Sequence, residues 1–202
     1  VAGDVEQPAT SPKFDLTISS KEFPWEKLIE LLPPNVARVL KNLGLTGVGT
    51  LKVQPKGDLA NLAISGEFDL SKSGVRYQNI FSKPEAVPMT LTVQAVLKAD
   101  ALELTAVKLA FGSVALDVTG SVSHFDAPAL DLQAASTASS LPDLLARFPE
   151  VAALKQDGQP ALKSNGEASL KARVKGAVDD LAIAATLTLD QSDVAYADLF
   201  AK

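Results

Sequence analysis

The chain has 202 residues, of which 47% are hydrophobic, 21% charged and only 5% aromatic, with a formal net charge of −5. The absence of cysteine and the single histidine exclude thiolate metal sites, disulfide frameworks, cysteine nucleophiles and multi-histidine centres. An acidic balance without a block of Lys and Arg argues against nucleic acid and against charge-driven binding to an anionic membrane surface, and no apolar run approaches the roughly 18–20 residues of a membrane-spanning helix.

Residues 1–13 hold Gly3, Pro8 and Pro12 among small polar residues and read as a linker. The chain opens on Val1 rather than Met and closes straight out of a strand pattern, so both ends read as cut from a longer or processed chain. From Phe14 onward, strands dominate. Leu62, Ile64, Phe68 and Leu70 recur at alternate positions; so do Leu91, Val93, Ala95 and Leu97; Val114, Leu116 and Val118; and Leu181, Ile183, Leu187 and Leu189. Period two marks a sheet with one apolar and one wet face. Gly57, Asp100, Gly112, Gly120 and Asp157-Gly158 punctuate the runs as turns, and connections this short favour antiparallel neighbours. The pattern predicts strands near 14–19, 47–55, 60–71, 73–78, 89–98, 101–111, 113–123, 129–136, 163–175, 180–190 and 192–197. Within 101–111 the alternation slips: Leu102 and Leu104 share one face, Val107, Leu109 and Phe111 the other, which a bulge or a two-sided strand explains.

Two stretches have helical spacing. Pro24 opens the first, with Trp25, Leu28, Ile29 and Leu32 on one face; after Pro33-Pro34 it continues through Val36, Val39, Leu40 and Leu43 to Gly44. Pro142 opens the second, with Leu144, Leu145 and Phe148, then Val151, Ala152 and Leu154 beyond Pro149. An early proline and a glycine past the end match the asymmetry of helix caps.

An internal repeat organises these elements. Shifted by 119 positions, residues 47–83 lie on 166–202 without a gap, and 14 of the 37 positions are identical, among them Gly47/Gly166, Lys56/Lys175, Gly57/Gly176, Leu62/Leu181, Ile64/Ile183, Ser73/Ser192 and Lys83/Lys202. Upstream, Phe14-Asp15-Leu16 parallels Leu130-Asp131-Leu132, and the two proline-bracketed helices follow. The unit is a strand, a helix and several strands, with a first copy over 14–129 and a second, truncated copy over 130–202; stacked units of this kind cover one another in turn. Helix and sheet could close as an ordinary sandwich, or the sheet could curl into an open trough whose apolar side stays available. Few helices and few aromatic fillers lean to the trough.

The stretches FDLTISSKEFPWEKLIELLP, LTGVGTLKVQPKGDLANLAISGEFDLSKSGVRY and VALDVTGSVSHFDAPALDLQAASTASSLPDLLARFP together resemble the AsmA-like family of bacterial envelope proteins. The likeness is carried by a G-x-L-x-V-x-G strand (Gly49, Leu51, Val53 and Gly57), a D-L-x-N-L turn (Asp58, Leu59, Asn61, Leu62), and an L-P-x-x-L-L segment after a P-x-L-D-L strand (Pro128, Leu130, Asp131, Leu132, Leu141, Pro142, Leu144, Leu145). In the second copy Gly166, Leu170, Val174 and Gly176 keep the outline, while the D-L-x-N-L turn has become Ala177–Leu181. The resemblance implies a periplasmic β-groove, tethered to the inner membrane by a segment outside this chain, that takes phospholipid or another acyl lipid toward the outer membrane or serves envelope assembly. It implies neither catalytic residues nor a cofactor. About eleven strands spaced ~4.8 Å apart span about 50 Å, enough for part of a conduit between two membranes and no more.

The remaining signals are weaker. Gly44–Thr50 has the look of a phosphate loop but runs from helix to strand and lacks G-K-[ST]. His124 has Ser121, Ser123 and Asp126 nearby but no nucleophile elbow, and reads as a turn residue. Asp179-Asp180 and Glu150 are solvated acids rather than a catalytic pair. Trp25 with Leu28, Ile29 and Leu32 reads as a cap over the end of the sheet rather than a membrane-touching face. Lys52, Lys56, Lys171 and Lys175 read as edge lysines that discourage strand pairing, with contact to lipid headgroups as the alternative.

The expectation is therefore a mostly β chain with short helical segments: a curved antiparallel sheet of repeated strand–helix–strands units forming an open apolar groove. Its acyl-binding residues would be Leu62, Ile64, Phe68, Leu70, Leu91, Val93, Leu116, Val118, Leu181, Ile183, Leu187 and Leu189. The competing expectation is a structural or protein-interaction module of envelope assembly with a closed β core, and end-to-end association with further repeats is open to either. Neither needs a metal, a cofactor or nucleic acid.

Overall fold

Alternating sequence is laid out as pleated strand in the computed structural model, which describes residues 2–6, 12–31, 37, 41, 44–77, 81–85, 87–145, 155–156, 159–160, 162–177, 180–196 and 200–201. In chain order the elements are β1 (Ala2–Glu6), β2 (Lys13–Pro24), α1 (Trp25–Leu31), β3 (Thr46–Asp58), β4 (Asn61–Asp69), β5 (Ser73–Tyr77), β6 (Phe81–Lys83), β7 (Met89–Lys98), β8 (Ala101–Phe111), β9 (Val114–Ser123), β10 (Ala129–Ser136), β11 (Ser139–Ser140), α2 (Leu141–Leu145), β12 (Lys155–Gln156), β13 (Gln159–Pro160), β14 (Leu162–Ser164), β15 (Glu167–Ala177), β16 (Asp180–Asp190), β17 (Val194–Tyr196) and β18 (Phe200–Ala201). The fold is mostly β with a few short helices, built on an open antiparallel sheet.

One run of strands carries that sheet, in the order β1-β2-β3-β4-β7-β8-β9-β10-β15, with β16 on the far side of β15. Most steps are between sequence neighbours, and the two-residue connections between β3 and β4, β7 and β8, and β8 and β9 serve only antiparallel pairs. The short pair β5 and β6 branches off β3, so β7 rather than β5 lies beside β4. The strands predicted at 89–98, 101–111, 129–136 and 180–190 have the observed bounds. The linker expected over 1–13 is corrected at its start: Ala2–Glu6 form β1, paired along their length with Lys13–Thr17. The reading missed it because glycine and few apolar residues mask the alternation. Gly3 is there for close approach, since it takes φ +130 and a side chain would strike the Asp15 carbonyl. The helical spacing expected past Leu31 and past Leu145 falls largely outside the described residues.

The slip in 101–111 is a bulge. Gln94 faces Ala106 and Ala95 faces Leu104, while on the other side Leu104 faces Gly120 and Val107 faces Val118. One extra residue in β8, at Thr105, returns Val107 and Leu109 to the face that Leu102 and Leu104 occupy. The Thr105 hydroxyl donates to the Gln94 carbonyl at 3.0 Å.

The tightest packing lies at one end of the strands. Trp25, Ile29, Leu70, Val75, Phe111, Leu141 and Ala168 are buried, with Ser73, Lys83 and Ser139 among them. Trp25 caps this end as its spacing predicted: its indole N–H donates to Ser73 Oγ at 2.6 Å, and that hydroxyl donates to the Val48 carbonyl at 2.9 Å. Gly49 leaves room for the ring, because a Cβ there would overlap the indole. Replacing Trp25 by Phe removes a buried donor and some volume, and Gly49→Ala overpacks the same contact; each should lower stability by about 1–3 kcal/mol. Urea unfolding checks this as a lower midpoint at unchanged slope; an unshifted midpoint for both variants would mean that the indole does not hold this end.

Candidate functional site: an apolar face in rows

Register turns the alternation of single strands into rows that cross the sheet. One row runs Leu51, Phe68, Leu91, Leu109, Leu116. A second runs Ile18, Val53, Gly66, Val93, Val107, Val118, Ala134, Ala172, Ala185. A third runs Pro55, Ile64, Ala95, Leu104, Gly120, Leu132, Val174, Ile183, and a fourth Phe14, Gly57, Leu62, Leu97, Leu102, Val122, Leu130, Gly176, Leu181. Cross-strand neighbours of this kind stand about 4.5–5.5 Å apart, close enough for continuous apolar contact. From β2 to β16 there are eight strand spacings, or about 38 Å.

Most of the face is half-buried rather than sealed: Leu51, Ile64, Phe68, Leu91, Val93, Leu116, Val118 and Leu132 each keep part of their surface in water. On β16 exposure rises, with Ile183 at 68%, Leu187 at 55% and Leu189 at 48%. Of the residues expected to bind acyl chains, Leu62, Ile64, Phe68, Leu91, Val93, Leu116, Val118, Leu181 and Ile183 stand in these rows. Leu187 lies across from Leu170, and Leu189 across from Ala168, on the same face. Leu70 is separate: it lies beyond β4, buried in the capped end, with its N–H on the Met89 carbonyl at 2.8 Å. The expected acyl-binding set leaves out Ile18, Val53, Val107, Leu109, Leu130 and Val174, and also Leu97, which the alternation places on one face with Leu91 and Val93. The repeat pointed to some of these, and the bulge signal to Val107 and Leu109.

The opposite face is wet and charged. Lys52 and Lys56 on β3, and Lys171 and Lys175 on β15, stand on interior strands, so they are not edge lysines. Lys56 pairs with Asp15 at 2.7 Å, and Asp131 takes Arg173 at 3.1 Å and Lys175 at 3.7 Å. These exposed pairs add little stability but tie neighbouring strands. An open hollow of about 480 Å³ on this face is lined by Asp117, Thr119, Gln133, Lys171, Arg173 and Thr186 among others. His124 sits in a turn at φ +59, its N–H on the Asp100 carbonyl at 2.9 Å. Glu150 and Asp179 lie outside the described residues. Among the described residues no cluster of three or more His, Asp or Glu could hold a metal.

Positions 119 apart share geometry. Gly47 and Gly166 take φ +80 and +82, and Gly57 and Gly176 +124 and +125. Gly57 faces Leu62, as Gly176 faces Leu181. The Ser73 hydroxyl reaches the Val48 carbonyl at 2.9 Å, as the Ser192 hydroxyl reaches that of Glu167 at 2.9 Å. Where the first region packs Trp25 over Gly49, the second has Leu141 and Ala168, both buried. Asp58 Oδ1 accepts the N–H groups of Ala60 and Asn61 at 2.9 and 3.0 Å, a turn lock that Ala177 cannot make.

No family model matches the sequence, and no curated protein and no solved structure matches it.

Lys83 is the one long cation buried at the capped end among the described residues, with Nζ donating to the Ser73 and Pro84 carbonyls. Burial pushes its pKa down, against the weaker opposing pull of Glu85 and Asp69. A lysine with a depressed folded-state pKa costs stability while both states are protonated. As pH rises past the folded value toward the unfolded value near ~10.4, the unfolded state holds more protons and stability climbs. Chemical unfolding at alkaline pH, below the unfolded value of ~10.4, should show that climb, and Lys83→Met should flatten it. A parallel pH profile in the variant would show that Lys83 titrates alike in both states.

Proposed function

We infer that the chain is an AsmA-like β-groove segment of the bacterial periplasm, whose rowed face holds acyl chains and which contributes to lipid transfer or outer-membrane biogenesis. The observation that carries this reading is the continuity of the rows: apolar side chains follow one another across nine strands and remain partly open to water. A surface of this extent on a soluble protein marks an interaction site rather than an ordinary exterior. The repeated strand–helix–strands unit, curved so that its apolar side forms the trough, is part of the same reading, as are an anchor beyond this chain and further repeats joined end to end.

The chemistry required is passive. Acyl methylenes lying against Leu, Val and Ile gain roughly 0.8 kcal/mol each on leaving water, while a headgroup stays solvated at the rim. Because rows of similar side chains repeat from strand to strand, a chain can shift by one strand at little cost. That is what movement along a groove needs, and no catalytic group takes part.

Purified protein should release acyl lipid on organic extraction, detected by mass spectrometry. Ile64→Asp should reduce the recovered lipid about tenfold or more, because a carboxylate in the row cannot lie against hydrocarbon. The circular dichroism of that variant should match the parent, since Ile64 retains contact with water. Recovery of no lipid from the parent, or unfolding of Ile64→Asp, would instead favour the closed interaction module.

A further inference from the structure

We propose that the hollow on the wet face of β10, β15 and β16 is a binding site for a small soluble phosphate ester with a hydroxylated body, of the size of a sugar phosphate. The site is made by side chains standing on the face of these strands. It uses neither the apolar rows nor a strand edge, so it stands apart from the lipid reading.

The two copies of the repeat share register here. Asp15 faces Lys56 as Asp131 faces Lys175; Ser19 faces Lys52 as Ala135 faces Lys171; and Lys52 faces Glu67 as Lys171 faces Thr186. Within that common frame the first copy is balanced, with Lys52 and Lys56 against Asp15 and Glu67. In the second copy Thr186 stands for Glu67 and Arg173 for Gln54, which leaves Lys171, Arg173 and Lys175 against Asp131. Asp131 takes Arg173 and Lys175, while Lys171 makes no ion pair or hydrogen bond among the described residues. Asp117 also lines the hollow, but Lys108 stands 3.8 Å from it. A local excess of positive charge on a chain of net charge −5 favours an anion at this place.

The same block loses bulk. Ser19 and Ser65 of the first copy correspond to Ala135 and Ala184, which lie beside the long side chains of Lys171 and Arg173. The hollow of about 480 Å³ falls within the roughly 300–1,000 Å³ of small-molecule sites. Inorganic phosphate alone would leave most of it empty. A phosphate ester divides its chemistry as the lining does. Its oxygens accept from the ammonium of Lys171 and the guanidinium of Arg173. Its hydroxyls meet Thr119, Gln133 and Thr186, and its C–H face rests on the alanine methyls.

The test titrates the intact chain with glucose 6-phosphate and follows backbone amides by NMR, with glucose as the uncharged control. Saturable shifts are expected on β10, β15 and β16, larger than those from inorganic phosphate, absent with glucose and weakened by salt. Thr186→Glu gives Lys171 the carboxylate that Lys52 faces, and Arg173→Gln restores the neutral residue of the first copy; each should weaken binding about tenfold. Both introduce residues that the sheet already carries at the matching position, so circular dichroism should be unchanged. Equal shifts with glucose, shifts spread over lysines elsewhere on the sheet, or unchanged affinity in both variants would overturn the proposal. So would cosedimentation with phosphatidylglycerol vesicles, lost in the two variants, by a chain that ignores glucose 6-phosphate, because the phosphate would then belong to a membrane surface.

Discussion

Cross-strand register is the constraint on which this protein depends. Each strand alternates, but alternation alone gives only stripes on isolated ribbons. Pairing converts the stripes into rows because every step places apolar opposite apolar, from Val53 through Val93, Val107 and Val118 to Ala134. A shift of one residue in any strand would turn its whole apolar set to the wet face. The bulge at Thr105 preserves the rule: the sequence slips by one, and the extra residue absorbs the slip; a second shift in register, on β2 between Ser20 and Phe23, lies beyond the rows, next to the capped end.

Register also explains where the small residues stand. Gly57 and Gly176 hold matching positive-φ positions at strand ends, and Gly3 and Gly120 hold another matched pair, at φ +130 and +134, each against the carbonyl of Asp15 or Asp131. The sequences around the second pair correspond as well: Gly3 and Val5 on β1 stand where Gly120 and Val122 stand on β9, facing Leu16 and Phe14 in one case and Leu132 and Leu130 in the other. The sheet thus presents similar surroundings at intervals along its length, with Asp15–Lys56 and Asp131–Lys175 as matching ion pairs on the wet side.

Stability and accessibility are divided between the ends and the middle. Trp25, Leu70, Phe111, Leu141 and Ala168 concentrate close packing where the helices meet the sheet. A cap of this kind can hold strands together while leaving most of the rows partly wet. The same division underlies the functional reading: an apolar face in contact with water costs free energy unless something of like chemistry occupies it.

The sequence by itself determined most of the long strands, that neighbours run antiparallel, that the alternation slips within 101–111, the position of Trp25 at a capped end and the correspondence of residues 47–83 with 166–202. Each rests on local information: period two, turn residues and self-similarity along the chain. Only the tertiary structure decided which residues share a row, that β1 is a strand rather than a linker, that the lysines stand on interior strands, and that Leu70 belongs to the cap. Those are properties of pairing between distant segments. A strand cannot reveal in its own sequence which neighbour it will take, nor whether it will take one on both sides.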